Sequence, residues 1–285
     1  MMRPTLAPEL LDFPPEARVL LVNADDLGMH PAVNRGVIAA IENGIAQSCS
    51  LMTPCPAAPE AMRMLIDRPQ IPFGIHLTLV RDTPHDTWSP LSPPHDVPTL
   101  IDTTGRLFLH AHAAQLLARM RIEEVEREFR AQLDAVLTAG LRPTHLDFHS
   151  LADGGRDDVL DVALMLADEH DVAVRLWLDR GRGIARRQGR PVIDHPFLDS
   201  FQLEVEGKAD RYAALLRALP PGLTEWAIHP AVAPATGTPA PSGWQVRHTD
   251  LQFLVSARAR ELVEAEGIVL TDYRPLRRVW TSGER

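Results

Sequence analysis

The chain has 285 residues, of which 45% are hydrophobic and 24% charged, and its formal net charge at pH 7 is -9. This composition excludes a fibrous or disordered protein, and the negative charge argues against general affinity for nucleic acid or anionic membranes. The cysteines, Cys49 and Cys55, are too few for a disulfide framework, so we expect free thiols in a reducing compartment. The N-terminal residues lack the apolar core of a signal peptide, and no apolar stretch is long enough to span a bilayer. We therefore expect a cytoplasmic protein without a membrane partner.

Strand-like and helix-like segments alternate along the chain, as is typical of an α/β protein with a mostly parallel sheet. About seven or eight strands predict a single deformed (β/α) barrel over residues 18–285, after an N-terminal extension at 1–17. Short apolar runs predict the strands, and apolar residues at helical spacing predict the helices. In chain order we predict strand 19–24, helix 34–43, strand 48–52, helix 59–67, strand 73–77, helix 113–138, strand 144–148, helix 157–170, strand 172–177, strand 201–205, helix 209–219, strand 224–228, helix 251–266 and strand 268–270.

Three long segments interrupt this alternation, at 81–109, 178–196 and 231–245. Each follows a strand end, and loops of this length inside a compact domain are usually lids or binding loops. The second segment carries five arginines from Arg180 to Arg190, which favours either a solvated loop or contact with an anionic substrate.

Ionisable side chains stand where predicted strands end. Asp25 and Asp26 follow the first strand, His76 lies at the end of another, and His229 follows a third. Charged groups at the end of a buried strand are costly unless they have partners or a function. Because the C-terminal strand ends of a β/α barrel open onto one face, the sequence predicts one site that combines carboxylates and imidazoles.

A further strand end carries His145, Asp147 and His149. Residues two apart on a strand share a face, so these three side chains point the same way. Two imidazoles and a carboxylate are a standard donor set for a divalent ion, and they leave positions for water and substrate. His76 supplies another imidazole, and spacing alone leaves open which histidine of this strand binds the ion.

The adjacent aspartates suggest a division of labour. One carboxylate binds the ion and its neighbour accepts a proton from water, and spacing leaves Asp25 and Asp26 open to either role. His229, which precedes Pro230, is placed to protonate a leaving group or to stabilise an oxyanion. The structural alternatives are a turn or ion-pair role for the aspartates and a buried neutral imidazole for the histidine.

The chain carries the motifs VNADDLG at 22–28, Asn34, GI at 44–45, GIHL at 74–77, PTHLDFH at 143–149 and IHP at 228–230. Together these motifs resemble those of the YdjC-like carbohydrate deacetylases, and the resemblance runs from about residue 18 to 275. It implies a deformed β/α barrel that removes acetyl groups from N-acetylated sugars with a bound divalent metal. In the family pattern further histidines commonly follow the last ligand, whereas this chain has SLADGGR at 150–156, so the sugar subsite departs from the pattern.

The resemblance also implies roles for individual residues. Asp25 is then the general base, and His229 is the acid or lies beside the oxyanion. The implied metal ligands are Asp26, His76 and His149. The expected activity is metal-assisted amide hydrolysis of a small acetylated carbohydrate.

Three more residues have expected supporting or substrate-side roles, namely His145, Asp147 and Arg175. The ligand set is compatible with zinc or magnesium first, and with nickel, cobalt or manganese as alternatives. A homodimer is compatible with the sequence.

Two rival functions use the same residues. One is a metal-dependent amidohydrolase or phosphatase on a β/α barrel. The amidohydrolase type usually has a His-x-His pair after its first strand, where this chain has Asp25 and Asp26, and we expect the pair His110 and His112 to lie in a loop before a helix. A sugar-binding or regulatory protein without turnover would keep the pocket and lose the chemistry. Trp88, Trp177 and Trp244 lie on or beside the long loops, where they would stack on sugar rings or anchor the loops.

Overall fold

The computed structural model describes residues 6–282. Within them the strands are β1 (Arg18–Leu27), β2 (Ser48–Leu51), β3 (Phe73–Leu77), β4 (Val80–Arg81), β5 (Phe108–Leu109), β6 (His145–Phe148), β7 (Ala173–Val174), β8 (Leu198–Asp199), β9 (Gly222–Ile228) and β10 (Val269–Thr271). The helices are α1 (Ala7–Leu10), α2 (Pro31–Glu42), α3 (Ala58–Ile66), α4 (Ala113–Arg119), α5 (Ile122–Thr138), α6 (Asp157–His170), α7 (Asp179–Arg187), α8 (Lys208–Arg217), α9 (Trp244–Leu254), α10 (Ala257–Ala265) and α11 (Tyr273–Ser282). Short 3₁₀ helices lie at His110–His112, Ala152–Gly154 and Ser200–Gln202. No helix of this part of the chain is long and apolar enough to cross a membrane.

One parallel sheet organises the molecule. Its strand order is β7-β6-β3-β2-β1-β9-β8, and β10 pairs with the first half of β1, which gives eight strands. Each residue of β1 after Arg18 is buried, as expected for a strand that is covered on both faces. The predicted mostly parallel sheet of about seven or eight strands is confirmed.

The sheet is curled into a deformed barrel. β7 and β9 are five positions apart in the strand order, which in a flat sheet would separate them by about 24 Å. Yet Arg175, directly after β7, places its Nε 2.7 Å from Oε1 of Glu225 on β9. Only a strongly curved sheet brings these two strands so close, so the predicted deformed (β/α) barrel is confirmed.

Two predicted helices are interrupted. The segment 113–138 forms α4 and α5 because Met120 is extended, with ψ 137°. Arg156 Nη1 donates to the carbonyl oxygens of Leu117 and Met120 at 2.8 and 3.0 Å, which satisfies acceptors that the break leaves without helical partners. The segment 251–266 likewise divides, because the Ser256 hydroxyl accepts a hydrogen bond from the Ala259 N–H and caps a new helix.

The predicted strand 201–205 is wrong. Its alternating apolar residues mimic the two-residue period of a strand, but the chain forms a 3₁₀ helix at Ser200–Gln202. The Asp199 carboxylate accepts the Phe201 N–H at 2.8 Å and so starts the helical turn. The strand of this region is β8, which ends at Asp199, and Phe201 remains 43% exposed.

Candidate metal centre and catalytic pocket

The end of β1 places two consecutive carboxylates in one pocket. Neighbouring residues of a regular strand point to opposite faces. Here the register of β1 against β2 shifts between Ala24 and Leu27, and Asp26 has a φ of 71°. This left-handed conformation is uncommon for a residue other than glycine. The irregularity lets Asp25 and Asp26 line the same cavity.

Asp26, His76 and His149 form a buried triad from β1, β3 and the residue after β6. Oδ1 of Asp26 lies 3.5 Å from Nε2 of His76 and 3.3 Å from Nδ1 of His149. Ligand atoms around a tetrahedral ion with bonds of about 2.0–2.2 Å are roughly 3.3–3.6 Å apart. Among the described residues, no group forms a hydrogen bond with this buried Oδ1. An enclosed carboxylate oxygen without a donor is costly, so the triad fits a divalent cation.

A carboxylate stands behind each imidazole of the triad. Nδ1 of His76 lies 2.9 Å from Oδ1 of Asp147, and Nε2 of His149 lies 2.8 Å from Oδ1 of Asp82. Each carboxylate therefore orients its ring and leaves the other nitrogen directed at Asp26. Such carboxylate–histidine pairs are typical of metal sites.

The triad is strongly polarised. Burial disfavours the charged carboxylate, but Arg247, whose Nη2 lies 2.6 Å from Oδ2, and the two histidines hold the pKa of Asp26 well below its usual range. Burial opposes protonation of His76, yet Asp147 and nearby aspartates raise its pKa to about 10. Asp82 and Asp26 likewise outweigh burial at His149 and raise its pKa to about 9. Carboxylates thus dominate the pocket floor, which favours cation binding.

A second acidic cluster, Asp25 with His76 and Asp147, already contains a cation. Arg175 Nη1 lies 2.7 Å from Oδ2 of Asp25 and 2.9 Å from Oδ2 of Asp147. Its Nη2 donates to the other oxygen of Asp25 at 2.9 Å. Because the guanidinium satisfies these oxygens, the first triad is the better candidate for a metal ion.

His145 lies beneath the pocket, in a packed layer that supports Arg175. Its ring stacks on Tyr273 with centroids 3.6 Å apart, and burial lowers its pKa. A Cβ on Gly74 would lie 2.4 Å from Nε2 of His145, so only glycine fits there. Tyr273 also donates to Glu225, the third carboxylate that Arg175 meets.

The opposite wall of the pocket carries His229, directly after β9. Its Nδ1 lies 2.7 Å from the hydroxyl of Ser200, which in turn donates to Asp250 Oδ2 at 2.6 Å. The cavity between the two walls has a volume of about 420 Å³. Both walls can therefore act on one small molecule.

The structure brings five of the eight predicted site residues to this cavity. Three others are buried outside its lining, namely His145, Asp147 and Arg175. The five that line it are Asp25, Asp26, His76, His149 and His229.

The aromatic lining differs from the expectation. Trp177 lines the cavity, but Trp88 is only 2% exposed and packs edge-on against His149. Trp244 stacks on His248 outside the cavity lining. The cavity lining also includes Phe148 and Phe201, to which the sequence analysis gave no role, and His110, which it set aside as part of a loop.

Four polar residues that support the site were missed. Asp82 lies in the first long loop, and Ser200 lies directly before the segment mistaken for a strand. Arg247 and Asp250 lie on α9, which begins at Trp244, seven residues before the predicted helix start. Arg247 and Asp250 are three residues apart, which on a helix puts a cation and an anion on one face. That spacing could have identified them from the sequence.

The arginines of the second long segment lie mostly on α7 and pair with acidic side chains. Arg180 Nη2 lies 3.1 Å from Asp161, and Arg190 Nη2 lies 2.6 Å from Asp168. Neither arginine lines the cavity. The predicted loop is therefore largely helical, Arg180 is a surface ion-pair residue, and Arg190 also lies over the ring of Trp280.

Comparisons with known proteins cover most of the chain. A family model described as YdjC-like protein matches residues 19–265. A carbohydrate deacetylase of Thermoanaerobacter pseudethanolicus is 30% identical over 264 residues, which cover 91% of this chain and 100% of the relative. A carbohydrate deacetylase of Geobacillus stearothermophilus is 30% identical over 259 residues, covering 90% and 97%. The crystal structure of a proposed cellobiose-phosphate cleavage protein from Enterococcus faecalis V583 superposes with a TM-score of 0.75 at 27% identity, covering 91% of this chain and 99% of that one.

Proposed function

The chain belongs to the YdjC-like protein family, and from this premise we propose that it is a metal-dependent carbohydrate deacetylase that removes acetyl groups from N-acetylated sugars. The observation that carries the proposal is the buried triad of Asp26, His76 and His149 at the floor of a cavity of about 420 Å³. Cavities of this size hold small molecules, so we propose a monosaccharide or short oligosaccharide as substrate.

Asp26, His76 and His149 would hold the metal ion. Two imidazoles and one carboxylate favour zinc, while magnesium prefers oxygen ligands alone and so becomes the weaker candidate. When bound, a divalent ion supplies polarisation of the acetyl carbonyl and activation of water.

Asp25 is the proposed general base. Its Oδ2 lies 3.9 Å from Nε2 of His76, so the carboxylate lies beside the triad. Asp25 directly precedes the triad residue Asp26 in the chain. Arg175 and the side-chain amide of Asn23 hold both of its oxygens in place, the amide at 2.6 Å. A carboxylate fixed in this way is positioned to accept a proton from the attacking water.

His229 is the proposed acid on the opposite wall. The oxygen of water forms a bond to the acetyl carbon, and the carbon–nitrogen bond of the amide breaks. The electron pair of that bond remains on nitrogen, which takes a proton from the imidazole of His229. Acetate and the free amino sugar are the products.

The test is acetate release from a panel of N-acetylated mono- and oligosaccharides by wild-type protein. We expect turnover that is lost after chelation and restored by zinc or another divalent ion. Binding of the same sugars, measured by calorimetry, runs in parallel. Sugar binding without acetate release under any metal condition would instead support a binding protein without turnover.

A further inference from the structure

A fully buried polar network lies behind His229. Ser200 and Asp250 are 0% exposed and Lys208 is 1% exposed. Asp250 Oδ1 lies 2.6 Å from Lys208 Nζ and accepts the Tyr212 hydroxyl at 2.8 Å. Ionisable groups are rarely buried this deeply unless they are paired, so the network is a built feature of the fold.

The network determines which nitrogen of His229 carries hydrogen. With Lys208 against it, the Asp250 carboxylate acts only as an acceptor. It accepts the Ser200 hydroxyl at 2.6 Å and the backbone N–H of His229 at 3.0 Å, both on Oδ2. The single hydroxyl proton of Ser200 is therefore used, and its oxygen can only accept from Nδ1 of His229, 2.7 Å away. Nδ1 must carry a hydrogen.

The other ring nitrogen, Nε2, is left for the substrate. No described residue forms a hydrogen bond with Nε2. Enclosed polar atoms without a partner do occur in residues 6–282, but Nε2 is not one of them, so it is accessible. His229 lines the cavity. An accessible nitrogen without a protein partner, on a residue of the cavity wall, is the one that can exchange a proton with a bound molecule.

We propose that Ser200 and Asp250 are positioning residues that fix the Nδ1–H tautomer of His229 and so reserve Nε2 for proton transfer to the leaving nitrogen. Lys208 and Tyr212 hold Asp250 in its accepting role. The inference rests on the proposed function, because only an amide or similar poor leaving group needs this proton. His229 donates as the imidazolium, with a hydrogen on each ring nitrogen and the one on Nε2 taken up from solvent. During cleavage the Nε2–H bond breaks while an N–H bond forms on the departing amine, and the neutral Nδ1–H tautomer that remains still donates to Ser200.

Two measurements test the proposal. Long-range ¹H–¹⁵N NMR should show a protonated Nδ1 of His229 in wild type and a mixture of tautomers in Ser200→Ala. The signals of His229 are assigned because they disappear in His229→Gln. In the same variant, kcat for an N-acetylated sugar should fall about 10-fold or more, which is a part of the roughly 10²–10⁴-fold that a positioned acid contributes, with KM unchanged. Hydrolysis of 4-nitrophenyl acetate, whose leaving group departs without a proton, should change by less than about 3-fold.

Matched variants separate positioning from folding. Thr249→Ala removes a hydroxyl of α9, on the residue before Asp250, that bonds to backbone oxygens of α9, and it should behave as wild type. Ser200→Thr keeps a hydroxyl and should show the wild-type tautomer and the wild-type ratio of amide to ester hydrolysis. Asp250→Asn should give a mixture of tautomers, as Ser200→Ala does.

An Nε2–H tautomer in wild type, or equal losses on amide and ester in Ser200→Ala, would overturn the proposal. Absence of acetate release by wild type would instead count against the proposed function, while the tautomer still decides this inference.

Discussion

The two walls of the cavity orient their histidines in different ways. On the metal-side wall, a carboxylate lies directly against each imidazole, Asp147 at 2.9 Å from His76 and Asp82 at 2.8 Å from His149. These contacts outweigh burial and raise the pKa of the two histidines to about 10 and about 9. A full negative charge behind an imidazole strengthens its interaction with a cation in front.

On the acid-side wall, a neutral hydroxyl takes the place of the carboxylate. Ser200 contacts His229, and the charge of Asp250 lies one residue further back, where Lys208 balances it. The hydroxyl is the direct contact of Nδ1, and the carboxylate oxygen Oδ1 of Asp199 lies farther off, at 3.9 Å. The difference indicates that one wall is arranged to retain a cation and the other to pass a proton.

Helix α9 links the walls. Arg247 contacts Asp26 on the metal side, and Asp250, three residues later, contacts Ser200 on the acid side. Residues three apart lie on one helix face, so a single rigid element supports both halves of the site.

Loss of the metal-side histidines should have the largest effect. His76→Ala/His149→Ala removes two of the three proposed ligands, so we expect about one divalent ion per chain in wild type and none in the variant, with activity at background. Elemental analysis and acetate release measure this. The control His95→Ala/His112→Ala changes two exposed histidines outside the cavity lining and should retain metal and activity. Full metal content in the first variant would contradict the proposed centre.

Removal of the proposed base should separate binding from chemistry. Asp25→Asn leaves Arg175 paired with Asp147 and Glu225, so the fold should persist. We expect kcat to fall by about 10²–10⁴ while metal content and sugar affinity stay at wild-type levels. Steady-state kinetics with calorimetry measures both. Unchanged kcat would exclude Asp25 as the base.

Neutralising a supporting carboxylate should weaken the metal-side wall more mildly. Asp82→Asn takes the negative charge from behind His149, and metal affinity should fall about 10–100-fold. Competition with a chromogenic chelator measures the affinity. Ser242→Ala is the matched control, because it removes a donor to the other oxygen of Asp82 but leaves the contact with His149. Equal affinities for Asp82→Asn and wild type would show that this carboxylate does not tune the ligand.

The smallest effect is expected outside both walls. Arg180 forms exposed ion pairs, which stabilise proteins by about 0–1 kcal/mol, and Arg187 is exposed on the same helix. Arg180→Gln/Arg187→Gln should therefore shift the free energy of unfolding by less than about 1 kcal/mol and leave KM for a neutral N-acetylated sugar unchanged. Chemical denaturation and kinetics check this. A rise in KM confined to a phosphorylated sugar would favour the anionic-substrate alternative for this segment.

The local sequence was enough to predict where the strands end, and therefore which residues lie at the face that carries the site. Strand 73–77 and helix 157–170 have the predicted bounds, and the predicted ends of the strands around Asp25, His149 and His229 were close enough to place those residues at one face. The reason is physical: a short apolar run that ends in charged residues has few stable environments other than a buried strand opening onto a polar site.

Contacts between distant segments could not be read from spacing. The sequence predicts one strand face for His145 and His149, yet Tyr273 covers the first beneath the cavity, while the second lies after β6 and reaches Asp26. That distinction depends on the chain after β10. The roles that the resemblance implies for these residues remain predictions.

The sequence by itself determined the fold class, the strand ends and the kinds of chemical group at each of them, because period and polarity are local properties. The tertiary structure alone decided that Arg175 occupies the second acidic cluster, and that α9 brings Arg247 and Asp250 to opposite walls. Those partners are far apart along the chain, and they meet because the curvature of the sheet and the position of the helices, rather than any local pattern, set the distances between them.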